Sequence, residues 1–462
     1  MSGRISVAVL RQHEDFIAAG FINLTAGILP AVSFPEISCM KKSQKLGVFD
    51  STMIVVGLVL GMGIFRTPVN VAQAVHGEWL FFLTWVVGGL VAICGALTYA
   101  EIGSRLPVTG GYYKIFSYAW HPSIAFAINC IILVSNAASL AAVALIGSEY
   151  ISGVLFPGIH DAQALQAREI AIAIFSILTF YGVNLLGLKM SARTQTVLMI
   201  LKILLVVLLI TPLFFVHGTE PVVSRLHPVS PDWLAYLKGF GTGLIAVSFT
   251  YGGYQQTINF GAEVSNPSRQ IPRAIFFGMT IIVLLYLSIN YAYVKVIGLE
   301  GLRNSKGIAS VMAAHVFGDA AGKVLSVLLF LSVLAYVNVL LMSNPRVMYA
   351  MSEDGVIPAV FSKRSSSHGA LVTSLSAFTA VCLLVVFWAK EFDEILGFTI
   401  FLDCFGMAAS AGSIFKLRKK KVQPEGAEIY RMKMYPLMPL IFIAAYSYLA
   451  VSIVIASAET AL

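Results

Sequence analysis

Between residues 48 and 456 the chain is a succession of apolar runs, most of about 20 residues or longer, parted by short polar stretches. A run of that length matches a hydrocarbon core of about 30 Å when helical. Inside lipid every backbone N–H and C=O needs a partner within the protein, which leaves helix bundles or closed barrels. The runs are continuous and lack strict alternation, so the barrel is excluded. Composition agrees: 58% of the 462 residues are hydrophobic and 12% charged, where soluble chains carry about a quarter charged. The expected fold is an all-α polytopic membrane protein.

Eleven spans are expected, at about 48–71, 78–103, 122–155, 167–187, 193–216, 237–263, 273–297, 322–351, 369–389, 393–415 and 434–456. The net charge of +8 would suggest a nucleic-acid partner in a soluble protein. Here the basic residues gather at alternate ends of the runs. Lys41, Lys42 and Lys45 precede the first, Arg105 and Lys114 follow the second, and Lys416 to Lys421 follow the tenth. Excess Lys and Arg mark cytoplasmic loops, so a cytoplasmic amino terminus and an inner-membrane, multi-pass location are expected, without nucleic acid.

Residues 1–45 stand apart as an extension and basic segment. The stretch 16–34 is broken by Asn23, Gly27 and Pro30. Met40, directly before the basic cluster, is the expected start of the working protein, with an interfacial helix or an extension as the other readings. The cysteines Cys39, Cys94, Cys130, Cys382 and Cys404 are scattered, with no metal-ligand or disulfide spacing. No metal, no cofactor and no disulfide-linked ancillary subunit are therefore expected. The eight histidines are isolated, so the clustered polar groups of a membrane transferase are missing and an enzyme is not expected. A channel would need a repeated filter or a ring of like charge.

Two runs carry a flaw at corresponding places. The first is interrupted at Gly61-Met62-Gly63 and the sixth, which opens a second set of five, at Gly252-Gly253. Glycine costs a helix interior about 1 kcal/mol relative to alanine. Interrupted helices at matching places in two halves point to a transporter binding site, and close packing through small residues is the competing explanation.

These residues resemble a known family. Gly61-Met62-Gly63-Ile64-Phe65 is similar to the first-helix break of the amino acid–polyamine–organocation (APC) superfamily. Leu106-Pro107-Val108-Thr109-Gly110-Gly111-Tyr112 after span two, and Ser248-Phe249-Thr250-Tyr251-Gly252-Gly253-Tyr254 in span six, match in order. So do Glu263-Val264-Ser265-Asn266-Pro267 and Asn344-Pro345-Arg346. The likeness covers about residues 46–456 and is strongest to bacterial relatives of the L-type amino acid transporters. It implies a transporter domain over 46–462 with a five-plus-five inverted repeat, about 46–216 and 237–415. An extra helix follows at about 434–456, and the family's twelfth helix is missing.

The likeness also implies a site for an amino acid. The opened first helix, at Gly61, Met62, Gly63 and Ile64, would offer N–H groups to a carboxylate at the positive end of a helix dipole. Carbonyls of Ser248, Phe249 and Tyr251 would take the ammonium, and Gly252 and Gly253 would leave room for the side chain. Tyr254, Asn136 and Tyr336 are candidate lining residues. Some relatives carry an acid at the positions of Gly252 or Gln255, and neither is present, which favours a neutral substrate over a cationic amino acid or polyamine. Lys202 lies deep in span five, where a charge should face the bundle interior, unless it snorkels to the edge. By resemblance its ammonium replaces the sodium held between helices one and eight, giving sodium independence, and it could also carry a proton. Arg66 and Asp403 either close as an outer gate or are solvated separately. Glu101, Glu263 and Arg269 make inner-gate contacts or structural caps. Exchanger, symporter and uniporter all stay open.

Overall fold

The structure, a computed structural model, describes residues 45–61, 63–156, 161–211, 233–304, 319–366, 368–388, 392–423 and 428–456, all within one compact unit, Met40–Leu462. The described residues form an all-helical bundle without strands; Leu46 and Val264, and Thr109 and Phe260, pair as isolated bridges. In order the helices are α1 Val48–Val59, α2 Gly63–Ala74, α3 Glu78–Arg105, α4 Gly111–Ala119 and α5 Pro122–Leu155. There follow α6 Ala162–Leu185, α7 Leu188–Ile210, α8 Trp233–Thr250 and α9 Pro267–Arg303. The last four are α10 Asp319–Glu353, α11 Val372–Trp388, α12 Phe392–Lys419 and α13 Leu437–Ala456.

These elements match the expected runs in order. Helices α3, α5, α6, α7, α9 and α10 are each long and apolar enough to cross a membrane, and α1 with α2 makes a seventh span bent by 42°. Two differences have physical causes. Span six begins at Trp233, and past its break the chain continues as 3-10 turns, Tyr254–Asn259 and Gly261–Glu263, not as an α-helix. The amides of Gln255, Gln256 and Asn259 bond locally or across to neighbouring helices, so tertiary partners hold this short tight form. Helix α4, between spans two and three, was not expected; its Tyr112 N–H donates to the Asn259 side chain at 2.9 Å.

Apolar burial drives helix association weakly in lipid, so close approach matters more. A Cβ on Gly88 would lie 2.3 Å from Val247, and one on Gly95 would lie 2.0 Å from the Tyr254 hydroxyl. Through such contacts α3 packs on α8, on the turns after it and on α13. Helix α1 lies against α7, α9 and α10, and α2 against α8, which places both breaks in the interior.

Candidate functional site

Helix α1 ends because Leu60 leaves helical geometry at φ −72°, ψ 74°. Its N–H still reaches Val56 O at 2.7 Å, and Gly61 N–H reaches Val59 O at 2.7 Å. Helix α8 ends three residues before Gly253, which adopts φ +111°, a region that side chains strain. A Cβ at Gly253 would stand 2.2 Å from the carbonyl oxygen of Leu58. The two breaks therefore touch backbone to backbone. A Cβ at Gly63 would come within 2.9 Å of Thr250, and the Thr67 and Thr250 hydroxyls share a hydrogen at 2.6 Å. Ile64 is fully buried beside them.

Tyr286 of α9 locks the junction. Its hydroxyl lies 3.1 Å from Val59 O and 3.3 Å from Thr250 O, the last helical residues of the two half-helices. Orphan carbonyls at a helix end need such donors.

Lys202 of α7 is 1% exposed. Its ammonium donates to Leu60 O, at the break, and to Ser332 O of α10 at 3.1 Å. The ammonium thus spans from the first helix to the eighth span and does not snorkel outward. Two carbonyl dipoles, one at the negative end of α1, receive the charge.

Around this junction polar side chains pair across the helices. Asn136 of α5 donates to Asn344 of α10 at 2.7 Å and accepts from Gln256 at 3.3 Å. Tyr336 of α10 shares a hydrogen with Ser139 at 2.9 Å, and its ring lies 3.9 Å from where a Gly61 Cβ would be. Asn259 donates to Ser343 at 3.0 Å. Sequence reasoning missed Tyr286, Gln256, Asn259 and Asn344. The amides carried a signal, being polar groups at membrane depth.

Other sequence candidates fall elsewhere. Met62 lies outside the described residues. The Gly252 N–H donates to Phe249 O at 3.1 Å, and the Phe249 side chain is 43% exposed. Ser248 is buried, its carbonyl 3.5 Å from the Tyr446 hydroxyl. The Tyr251 ring packs tilted against Tyr286 at 5.1 Å and edge-on against Trp85 at 6.0 Å, and Tyr254 packs against Tyr99 and Gly95. Both tyrosine side chains thus pack against α3. Among the described residues no ion pair joins Arg66 to Asp403: Arg66 is exposed within electrostatic reach of Glu149, and Asp403 is half-buried within electrostatic reach of tyrosines.

The basic ends of the helices are tied by buried ions. Glu101 accepts from Arg105 at 2.9 Å, from Arg418 at 2.8 and 2.6 Å, and from Met432 N–H at 2.9 Å. Glu263 accepts from Arg346 at 2.6 Å, with Arg364 at 3.6 Å. Arg269 pairs at the surface with Glu428.

At this junction two helix ends meet, and a buried lysine and a tyrosine hydroxyl meet their end carbonyls. Comparison with known families decides what kind of protein uses it here: a model of an amino acid permease family matches residues 46–461. The chain belongs to that amino acid permease family, within the APC superfamily. Relatives of this permease include the serine/threonine exchanger SteT of Bacillus subtilis, 25% identical over 87% of the chain and 89% of the relative. The human large neutral amino acids transporter small subunit 2 is 26% identical over 88% and 75%. The branched-chain amino acid permease BcaP of Bacillus subtilis is 28% identical over 70% of each. The protein is an amino acid transporter, a multi-pass helical membrane protein and not an enzyme.

Proposed function

We propose that this permease carries neutral amino acids by alternating access, without sodium, across the inner membrane with its amino terminus in the cytoplasm. The observation that carries the reading is the Lys202 ammonium on Leu60 O and Ser332 O, a fixed cation between the first and eighth spans. The substrate carboxylate meets the N–H groups that open α2, around Gly63 and Ile64. The ammonium meets carbonyls at the end of α8. Tyr336, over Gly61, and Asn136 border the same junction. The absence of an acid at Gly252 and Gln255 supports a neutral substrate. The names of the relatives, which include neutral amino acid carriers, support the same class. The two broken spans fit the five-plus-five inverted repeat.

The test is counterflow uptake in proteoliposomes with twenty labelled amino acids, in sodium and in choline. Neutral amino acids should exchange equally in both salts. Uptake that requires sodium, or is confined to cationic amino acids, contradicts the reading.

A further inference from the structure

Asp403 is an acid the site described above does not use. It lies about 17 Å along α12 from the helix start, near the middle of a core of about 30 Å. Asp403, Gly406, Met407 and Ser410 are spaced to share one face of α12. That face looks at α3 and α4: the Tyr99 hydroxyl shares a hydrogen with Ser410 and reaches Met407 O at 3.3 Å. The Tyr112 hydroxyl lies 3.7 Å from where a Gly406 Cβ would be, and Ile132 of α5 lies at 3.6 Å.

The titratable groups within electrostatic reach of Asp403 are Tyr99 of α3, Tyr112 of α4, Tyr336 of α10, Tyr446 of α13 and its neighbour Cys404. Among the described residues no lysine, arginine or histidine pairs with it. Arg66 lies within electrostatic reach of Glu149, and Lys202 donates to two carbonyls. A carboxylate without a cation is costly at this depth, and intramembrane acids mark proton relays. Tyr336, within electrostatic reach of the acid, also lies over Gly61 at the junction.

We propose that Asp403, not Lys202, is the group that binds the transported proton, so that each neutral amino acid crosses with one proton. A carboxyl O–H bond forms with a proton from water on the side to which the site is open. It breaks, returning the proton to water, on the other side. The proposal rests on the amino acid carrier reading above and adds the coupling ion to it.

The test compares wild type with Asp403→Asn and Asp403→Glu in proteoliposomes, by amino acid counterflow and by a pH-sensitive dye. Wild type and Asp403→Glu should move protons with substrate and concentrate it down a pH gradient. Asp403→Asn should keep counterflow but lose proton movement at least tenfold. Undiminished proton movement by Asp403→Asn, or wild-type counterflow without proton movement, overturns the proposal and leaves the carrier reading standing. No wild-type counterflow of any amino acid overturns both. Should Asp403→Asn lose counterflow as well, thermal stabilisation by substrate at pH 5 and pH 8 decides. It must depend on pH in wild type and not in Asp403→Asn; equal pH dependence in the two overturns the proposal.

Discussion

The ammonium of Lys202 donates to the carbonyl oxygen of Leu60, the residue at which the first span stops being helical. One side chain thus holds open the end of α1 and ties it to α10 through Ser332 O. Each such charged hydrogen bond is worth about 1.5–3 kcal/mol. Lys202→Ala leaves both carbonyls unmet and should lower counterflow at least tenfold, whatever the pH. Wild-type uptake by that variant would remove the lysine from the mechanism.

Gly253 and Gly252 are neighbours with opposite demands. At Gly253 a Cβ would meet Leu58 O at 2.2 Å with φ at +111°, so Gly253→Ala should force the two breaks apart and abolish uptake. At Gly252 the nearest atom is Phe249 O at 3.2 Å, a contact a small shift relieves. Gly252→Ala should retain the fold and a measurable fraction of uptake. Parallel uptake and thermal melting of the two variants check the contrast.

Tyr286→Phe removes a single hydroxyl between Val59 O and Thr250 O while keeping the ring packed on Tyr251. The loss of one net hydrogen bond is about 1 kcal/mol. A fall in apparent substrate affinity larger than the fall in melting temperature would place that bond in the site; unchanged affinity would make it structural.

Glu101 is fully buried and receives two arginines and a backbone N–H. Removing one partner of a buried pair leaves an uncompensated charge, at a cost of about 3–5 kcal/mol. Glu101→Ala should therefore melt well below wild type in detergent. Glu428→Ala, which breaks only an exposed pair with Arg269, should melt like wild type.

The order of the spans and the places of both breaks were legible in the sequence. Apolar length is a direct reading of membrane thickness, and glycine pairs at mid-run stand out against leucine and valine. The depth of Lys202 was legible for the same reason. The 3-10 course of Tyr254–Asn259 was not, because its own side-chain amides hold it through Gly253, Asn136 of α5 and Ser343 of α10, and periodicity does not encode partners. Tyr286 gave no signal, one tyrosine among 18. Whether Arg66 and Asp403 pair was not legible, because charge and depth in an apolar run do not say which way each side chain turns.

The central claim is that backbone groups at two facing breaks hold both charged ends of one amino acid. Competition of labelled neutral amino acid counterflow by the methyl ester and by the deaminated acid of the same substrate tests it most directly. Both analogues should compete at least tenfold more weakly than the parent amino acid. If either competes as well as the parent, one of the two breaks does not grip a charge and the account fails.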